Sequence, residues 1–334
     1  MDVDIPRVAR SLDELVAGAT GREVLRPADA RSGAAFERLR IDGRRYFLKV
    51  LSAEADWIMR VTGNTTHWEL TAWEAGLYDE APAEVDHTMV AMALDRTGPA
   101  TRLAMLMADC TEDLVPPGDT KLPADQHARF IDHMAAMHTA KLGWTDTLGL
   151  QELRRRFLFF APATIAPELD APDVPGPLRV ADEGWAVLPR RAPDLDALVR
   201  AIHTDPQPLA EAMRTTPSTF VVGDWKLGNL GSRPDGRTIV LDWAYPGEAP
   251  PCWELAWYLA LNRSRLPEAK EATIERYRRG LERRGVETGD WWDRQLGLCL
   301  VGIMATFAWE KAVGAEDELA WWTSAALTGA RWLE

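Results

Sequence analysis

Residues 218–243, STFVVGDWKLGNLGSRPDGRTIVLDW, constrain this chain more than any other stretch. Two apolar, β-branched runs, STFVV and TIVLDW, are joined by a glycine-containing loop and the turn former Asp235-Gly236, so the segment reads as a β-hairpin. The chain around it has a different period. LPADQHARFIDHMAAMHTAKLG (122–143) is helical in pattern with an N-cap expected at Asp125, and Pro-rich stretches near 161–176 and 189–207 separate further helices. Everything from about residue 253 onward reads as helix, and ten of the fifteen tryptophans follow residue 220. The segment is one embedded hairpin in a helical part.

The first third reads differently. FERLRIDGRRYFLKV (36–50) alternates as strands do and breaks at Asp42-Gly43, a dipeptide that favours a type I′ turn between antiparallel strands. The small-residue run ADARSGAAF (28–36) ahead of it reads as a loop joining two strands. THWELTAWEAGLYDEA (66–81) reads as a helix with an apolar stripe at Leu70, Trp73 and Leu77, and RLAMLMAD (102–109) as a strand. These patterns predict a β-rich unit over 1–108 and a mostly helical one over 109–334, with the boundary near 108–118.

Charge and cysteine usage narrow the function classes. A net charge of -13 argues against nucleic acid, whose phosphates need compensating Lys and Arg, and is mildly favourable to cationic ligands. The cysteines Cys110, Cys252 and Cys299 are odd in number and far apart, which argues against a disulfide framework or zinc site and for a cytoplasmic location. The N-terminus MDVDIPRVARSLDEL has no apolar signal-peptide core. LGLCLVGIMATFAW (296–309) is too short to span a bilayer and reads as a buried helix, so no membrane partner is expected.

Asp224 and Asn229 stand five residues apart in the embedded loop, and Asp242 ends the following apolar run. A hairpin that begins at Asp224 would bring the carboxylates of Asp224 and Asp242 near one another, which a metal site wants and an inert core avoids. Upstream, Lys49 ends the strand RRYFLKV, and Glu69 or Glu74 follows on a helix. This order resembles the protein-kinase-like superfamily, most closely its aminoglycoside phosphotransferase and choline kinase branch. GDWKLGN (223–229) resembles the branch's G-D-x-x-x-x-N loop, and VLDWAYPGEAPPCWELA (240–256) its I-D-W…G-x-P…D-L-A segment, with Glu254 in place of the usual Asp. MAAMHTA (134–140) resembles its L-A-x-L-H-x helix end. One departure stands two residues before Asp224, where such loops usually carry histidine and this chain has Val222.

The resemblance implies a bilobal α+β fold with a small β-rich N-lobe and a larger helical C-lobe. It also implies ATP (or GTP) and Mg²⁺ as cofactors. Asp224 would accept or orient the attacking hydroxyl, and Lys226 would contact the transferring phosphate. Lys49 would hold the α- and β-phosphates, oriented by Glu69 in preference to Glu74. Asn229 and Asp242 would ligate the metal. Ser32 and Gly33 would form a reduced nucleotide loop, and the adenine would meet main-chain groups from Met107 to Asp109. Tyr245, Glu248, Trp253, Trp257, Asn262 and Glu310 are the candidates for the substrate wall, where aromatic faces and carboxylates suit an amino-bearing or polyhydroxylated ligand. His133 and His138 fall on different sides of one helix and make no metal pair; the doublets Trp291-Trp292 and Trp321-Trp322 read as packing.

The expected function is a small-molecule kinase acting on a hydroxyl of a sugar, amino sugar or aminoglycoside-like antibiotic. A primary-metabolite kinase for an amino alcohol and a non-catalytic pseudokinase module are the alternatives. A protein kinase fits less well, because no A-P-E segment follows Asp242 and little chain is left for an activation loop.

Overall fold

The computed structural model describes residues 5–26 and 32–333. Its strands, in chain order, are β1 (Val8–Ala9), β2 (Thr20–Leu25), β3 (Ala35–Ile41), β4 (Arg44–Leu51), β5 (Val85–Asp86), β6 (Met89–Asp95), β7 (Arg102–Ala108), β8 (Thr219–Val221), β9 (Leu230–Ser232), β10 (Thr238–Val240) and β11 (Gly247–Ala249). The chain divides into two compact units. One holds the residues up to Pro117 together with Gly228–Asp242; the other holds Gly118–Leu227 and Trp243–Glu334.

The first unit is built on a six-stranded sheet in the order β1-β6-β7-β4-β3-β2. The β3–β4 turn is Asp42-Gly43, both at positive φ (48° and 77°), and Ile41 pairs with Arg44, as a two-residue type I′ loop requires. Strand alternation then sends Leu39, Ile41, Tyr46 and Leu48 to one face, where they pack with Ala91, Ala93, Ala104 and Leu106. The helix expected over 66–81 is shorter, Trp68–Glu74. It starts after His67 in a left-handed conformation (φ 58°), and the chain turns away at Gly76 (φ 81°). A second helix, Trp57–Thr62, was not foreseen from the sequence; the Asp56 carboxylate caps it by accepting from the Ile58 and Met59 N–H groups. Of the loop expected over 28–36, residues 28–31 lie outside the described residues.

The embedded β segment folds differently from the expectation. STFVV does not form the first arm of the hairpin. Its β8 pairs instead with β11, Phe220 opposite Glu248, in the second unit. The hairpin is β9–β10, running from Leu230 to Val240, and it packs in the first unit. There β10 runs parallel to β5, and Arg233 bridges Asp86 and Asp113 at 2.7 Å each. The sequence expectation put the boundary near 108–118 and left this hairpin with the helical part; the hairpin packs instead in the first unit, in a three-stranded sheet with β5.

The second unit is helical. Its helices are Ala124–Ala140, Leu153–Arg156, Pro162–Leu169, Gly176–Arg191, Pro193–Thr204, Gln207–Arg214, Cys252–Leu261, Lys270–Arg283, Trp292–Ala312 and Glu316–Ala330. Prolines open several of them, since Pro162, Pro177, Pro193 and Pro208 fall in first turns, where a missing N–H costs nothing. The Pro-rich stretches therefore start helices as well as separate them. Asp125 is not the N-cap of Ala124–Ala140; Pro123 is, and Asp125 lies in the first turn. Trp292–Ala312 is buried along most of its length, and no helix among the described residues is long and apolar enough to cross a membrane.

Candidate active site

In the first unit the chemistry gathers around Lys49. Its position on β4, between β3 and β7, buries the stem, and Nζ reaches Asp242 Oδ1 at 2.6 Å. Burial works against the Lys49 charge, but the Asp242 carboxylate outweighs it and holds the ammonium above its ordinary pKa. Asp242 follows β10 with φ 53°, a left-handed conformation that a non-glycine residue adopts at a cost. Asn229 closes the other end of the same hairpin, its carbonyl accepting from the Leu241 N–H at 2.8 Å, so Asn229 and Asp242 emerge side by side. An amide oxygen and a carboxylate oxygen are hard donors of the kind Mg²⁺ takes, and that ion keeps few protein ligands.

Glu69 is buried and Glu74 is exposed. The Glu69 carboxylate, however, accepts from Asn64 Nδ2 at 2.9 Å, and it is Asp242 that holds Lys49. Burial pushes the Glu69 carboxyl up to about 7, against the opposing effects of Asn64 and Lys49. Asn64 also accepts from the Trp68 N–H at 2.9 Å, fixing the helix start and the carboxyl together. The sequence reading missed Asn64, whose only signal was an amide residue just ahead of a helix.

The expected nucleotide contacts are placed as follows. Gly33 lies against the Ala55 and Asp56 backbone, with an added Cβ only 1.8 Å from the Ala55 carbonyl oxygen; Ser32 Oγ accepts from the Ala34 N–H at 3.4 Å. Met107 is buried in β7. Beyond it, the N–H groups of Ala108 and Asp109 donate to the Thr88 and Arg45 carbonyls. The Asp109 carboxylate is engaged as well. Burial would raise its pKa, but Thr111, Arg38 and Arg45 outweigh that and hold it below the usual range.

In the second unit the chemistry gathers around Asp224, a buried carboxylate. Oδ1 accepts from the Trp257 indole N–H at 3.0 Å, and Oδ2 pairs with Lys226 Nζ at 2.6 Å. Gly223, at φ 89°, is required by geometry, because an added Cβ would lie 2.2 Å from the Tyr245 carbonyl oxygen. Val222 is fully buried, and its carbonyl accepts from the Tyr245 N–H.

One helix braces this loop. From Cys252–Leu261 and the residue after it, Glu254 Oε1 accepts the Gly223 N–H at 2.5 Å, the Trp257 indole N–H donates to Asp224, and Asn262 Oδ1 accepts the Leu227 N–H at 3.0 Å. Glu254 and Trp257, three residues apart, share one helical face, and Asn262 follows at the end of the same helix, so the order of contacts follows the helix. Glu254 also bonds His138 Nε2 at 2.8 Å, whose Nδ1 meets the Tyr277 hydroxyl at 2.6 Å. The loop that lacks a histidine at 222 is thus tied to His138 through Glu254.

The six residues expected on a substrate wall divide. Trp253 is fully buried against Phe157 and belongs to the core, and Asn262 is spent on bracing. Tyr245 is buried between Phe159 and Trp257, with its carbonyl held by Arg156, a residue the sequence reading did not single out. Trp257 points at Asp224. Glu310 pairs with Lys311 at 2.6 Å and Arg263 at 3.5 Å. Glu248 accepts from the Asp146 N–H and borders a cavity of about 430 Å³ shared with Gln151, Arg214 and Ser218, whose lining does not include Asp224.

No family model matches this sequence, and no curated protein matches it. Solved structures do. The microcompartment-associated aminopropanol kinase is 14% identical, covering 92% of this chain and 90% of its own, with a TM-score of 0.55. An amicoumacin kinase in complex with AMP-PNP, Ca²⁺ and its ligand is 14% identical over 91% and 87%, with a TM-score of 0.48. Choline kinase LicA from Streptococcus pneumoniae is 11% identical over 96% of each chain, with a TM-score of 0.47. The fold assignment rests on the first: this chain has the two-unit α+β fold of the protein-kinase-like class, in the form seen in the aminopropanol kinase.

Proposed function

We propose that this chain is an ATP-dependent small-molecule kinase that moves the γ-phosphate to a hydroxyl of a sugar, amino sugar or aminoglycoside-like acceptor. The observation that carries this reading is the buried Asp224 carboxylate, held at both oxygens within the loop GDWKLGN. In this role Asp224 accepts or orients the acceptor's hydroxyl proton, and Lys226 leaves the carboxylate to meet the phosphate in flight. Lys49 binds the α- and β-phosphate oxygens, exchanging Asp242 for them. Asn229 and Asp242 would hold Mg²⁺, which supplies charge neutralisation on the phosphates. An amino alcohol acceptor is the second reading; the fold likeness to the aminopropanol kinase puts it beside the first.

The test is ATP consumption against a panel of amino alcohols, amino sugars, sugars and aminoglycosides, with Asp224→Asn run in parallel. Turnover on one class, reduced at least a thousandfold by the substitution, supports the reading. Undiminished turnover in Asp224→Asn overturns the role of Asp224. Calorimetry that finds no ATP affinity, with or without Mg²⁺, favours a non-catalytic module. Expression in a sensitive bacterium separates resistance from metabolism.

A further inference from the structure

We infer that Trp257 is a positioning residue that pins Asp224 by Oδ1 and so leaves Oδ2 as the oxygen that meets the acceptor hydroxyl. The inference rests on the kinase reading above and says which atom of the loop acts. Two partners of the carboxylate differ in kind. Trp257 is buried and its ring is wedged among Phe307, Tyr245 and Trp253, with centroids at 4.9, 5.9 and 6.5 Å. Its indole N–H is a donor only and carries no charge. Lys226 is its opposite: a flexible four-carbon stem whose side chain is 37% exposed, two residues along the same loop. A rigid neutral donor fixes one oxygen; a mobile cation covers the other and can leave it.

The helix that carries Trp257 also fixes the backbone on both sides of Asp224, through Glu254 to the Gly223 N–H and Asn262 to the Leu227 N–H. Backbone and carboxylate plane are therefore set from one rigid element, as near-attack positioning demands. In the transfer itself the acceptor O–H bond breaks as its oxygen bonds to the γ-phosphorus. The proton passes to Oδ2 and on to solvent, and the bond from the γ-phosphorus to the bridging oxygen breaks as ADP leaves. Lys226, displaced from Oδ2, would be free to offer its charge to the transferring phosphate.

Trp257→Phe keeps a ring in the cluster and removes the donor. The expected result is a kcat about tenfold to a hundredfold lower, with ATP dissociation constant unchanged, as for the loss of one hydrogen bond to a charged group. In an Asp224→Ala background the same substitution is expected to change residual turnover by less than twofold, because its partner is already gone. If Trp257→Phe does not fold, benzothienylalanine at 257 keeps the bicyclic shape and replaces the N–H by sulfur. Undiminished kcat in the folded variant, or equal losses in both backgrounds, overturns the inference and leaves the kinase reading standing. Full turnover in Asp224→Ala overturns both.

Discussion

Replacing Glu69 by Gln separates the electrostatics of the first unit from its packing. The unfolded chain releases the Glu69 proton near the ordinary value of 4.5, the folded chain only near about 7, because burial disfavours the charge. Below pH 4.5 both states hold the proton, and the carboxyl has no pH-dependent effect on stability. Between 4.5 and 7 the unfolded state loses it first, so stability falls as pH rises. Above 7 both are ionised and the full penalty remains. At about 1.4 kcal/mol per pH unit, the penalty is about 3 kcal/mol. Gln keeps the oxygen that accepts from Asn64 Nδ2 and carries no charge. Urea unfolding of both proteins should therefore show no pH-dependent gain near pH 4.5, and a gain of about 3 kcal/mol for Glu69→Gln by pH 8. A stability difference that stays flat from pH 4.5 to 8 would refute the reasoning, since packing alone does not titrate.

Two further outcomes test the loop bracing. Gly223→Ala places a Cβ 2.2 Å from the Tyr245 carbonyl at φ 89°, and is expected to lower stability by about 3 kcal/mol or more, with turnover lost in whatever folds; a thermal midpoint within 2 °C of the parent, by the roughly 2–4 °C per kcal/mol of a larger domain, would contradict it. Glu254→Ala strips the Gly223 N–H and His138 Nε2 of their shared buried acceptor and should cost about 3–5 kcal/mol by denaturant titration. A cost below 1 kcal/mol would mean that the bracing is not what holds the loop.

Some of this was legible in the residues because the information is local. The Asp42-Gly43 turn was, since a type I′ loop needs two residues at positive φ and only a few residue types accept that. Gly223 and Asp224 stood out as a glycine and an acid in a loop after an apolar run. The pairing of β8 was not legible. TFV and TIV are equally good strands, and choosing between a hairpin and a partner 28 residues further on depends on what the surrounding helices bury. Trp257 was read as a surface for substrate because an indole suits a ligand and a carboxylate equally well; only the face shared with Glu254 decides.

By itself, then, the sequence determined the class of fold, a β-rich unit followed by a helical one, and the short list of polar residues able to move a phosphate. Periodicity and turn chemistry act over a few residues and need no partner. The tertiary structure decided who pairs with whom: Lys49 with Asp242, Glu69 with Asn64, and Asp224 with Trp257. Those choices are settled by burial, which strips water from each group and leaves it only the donors and acceptors that packing brings within 3 Å.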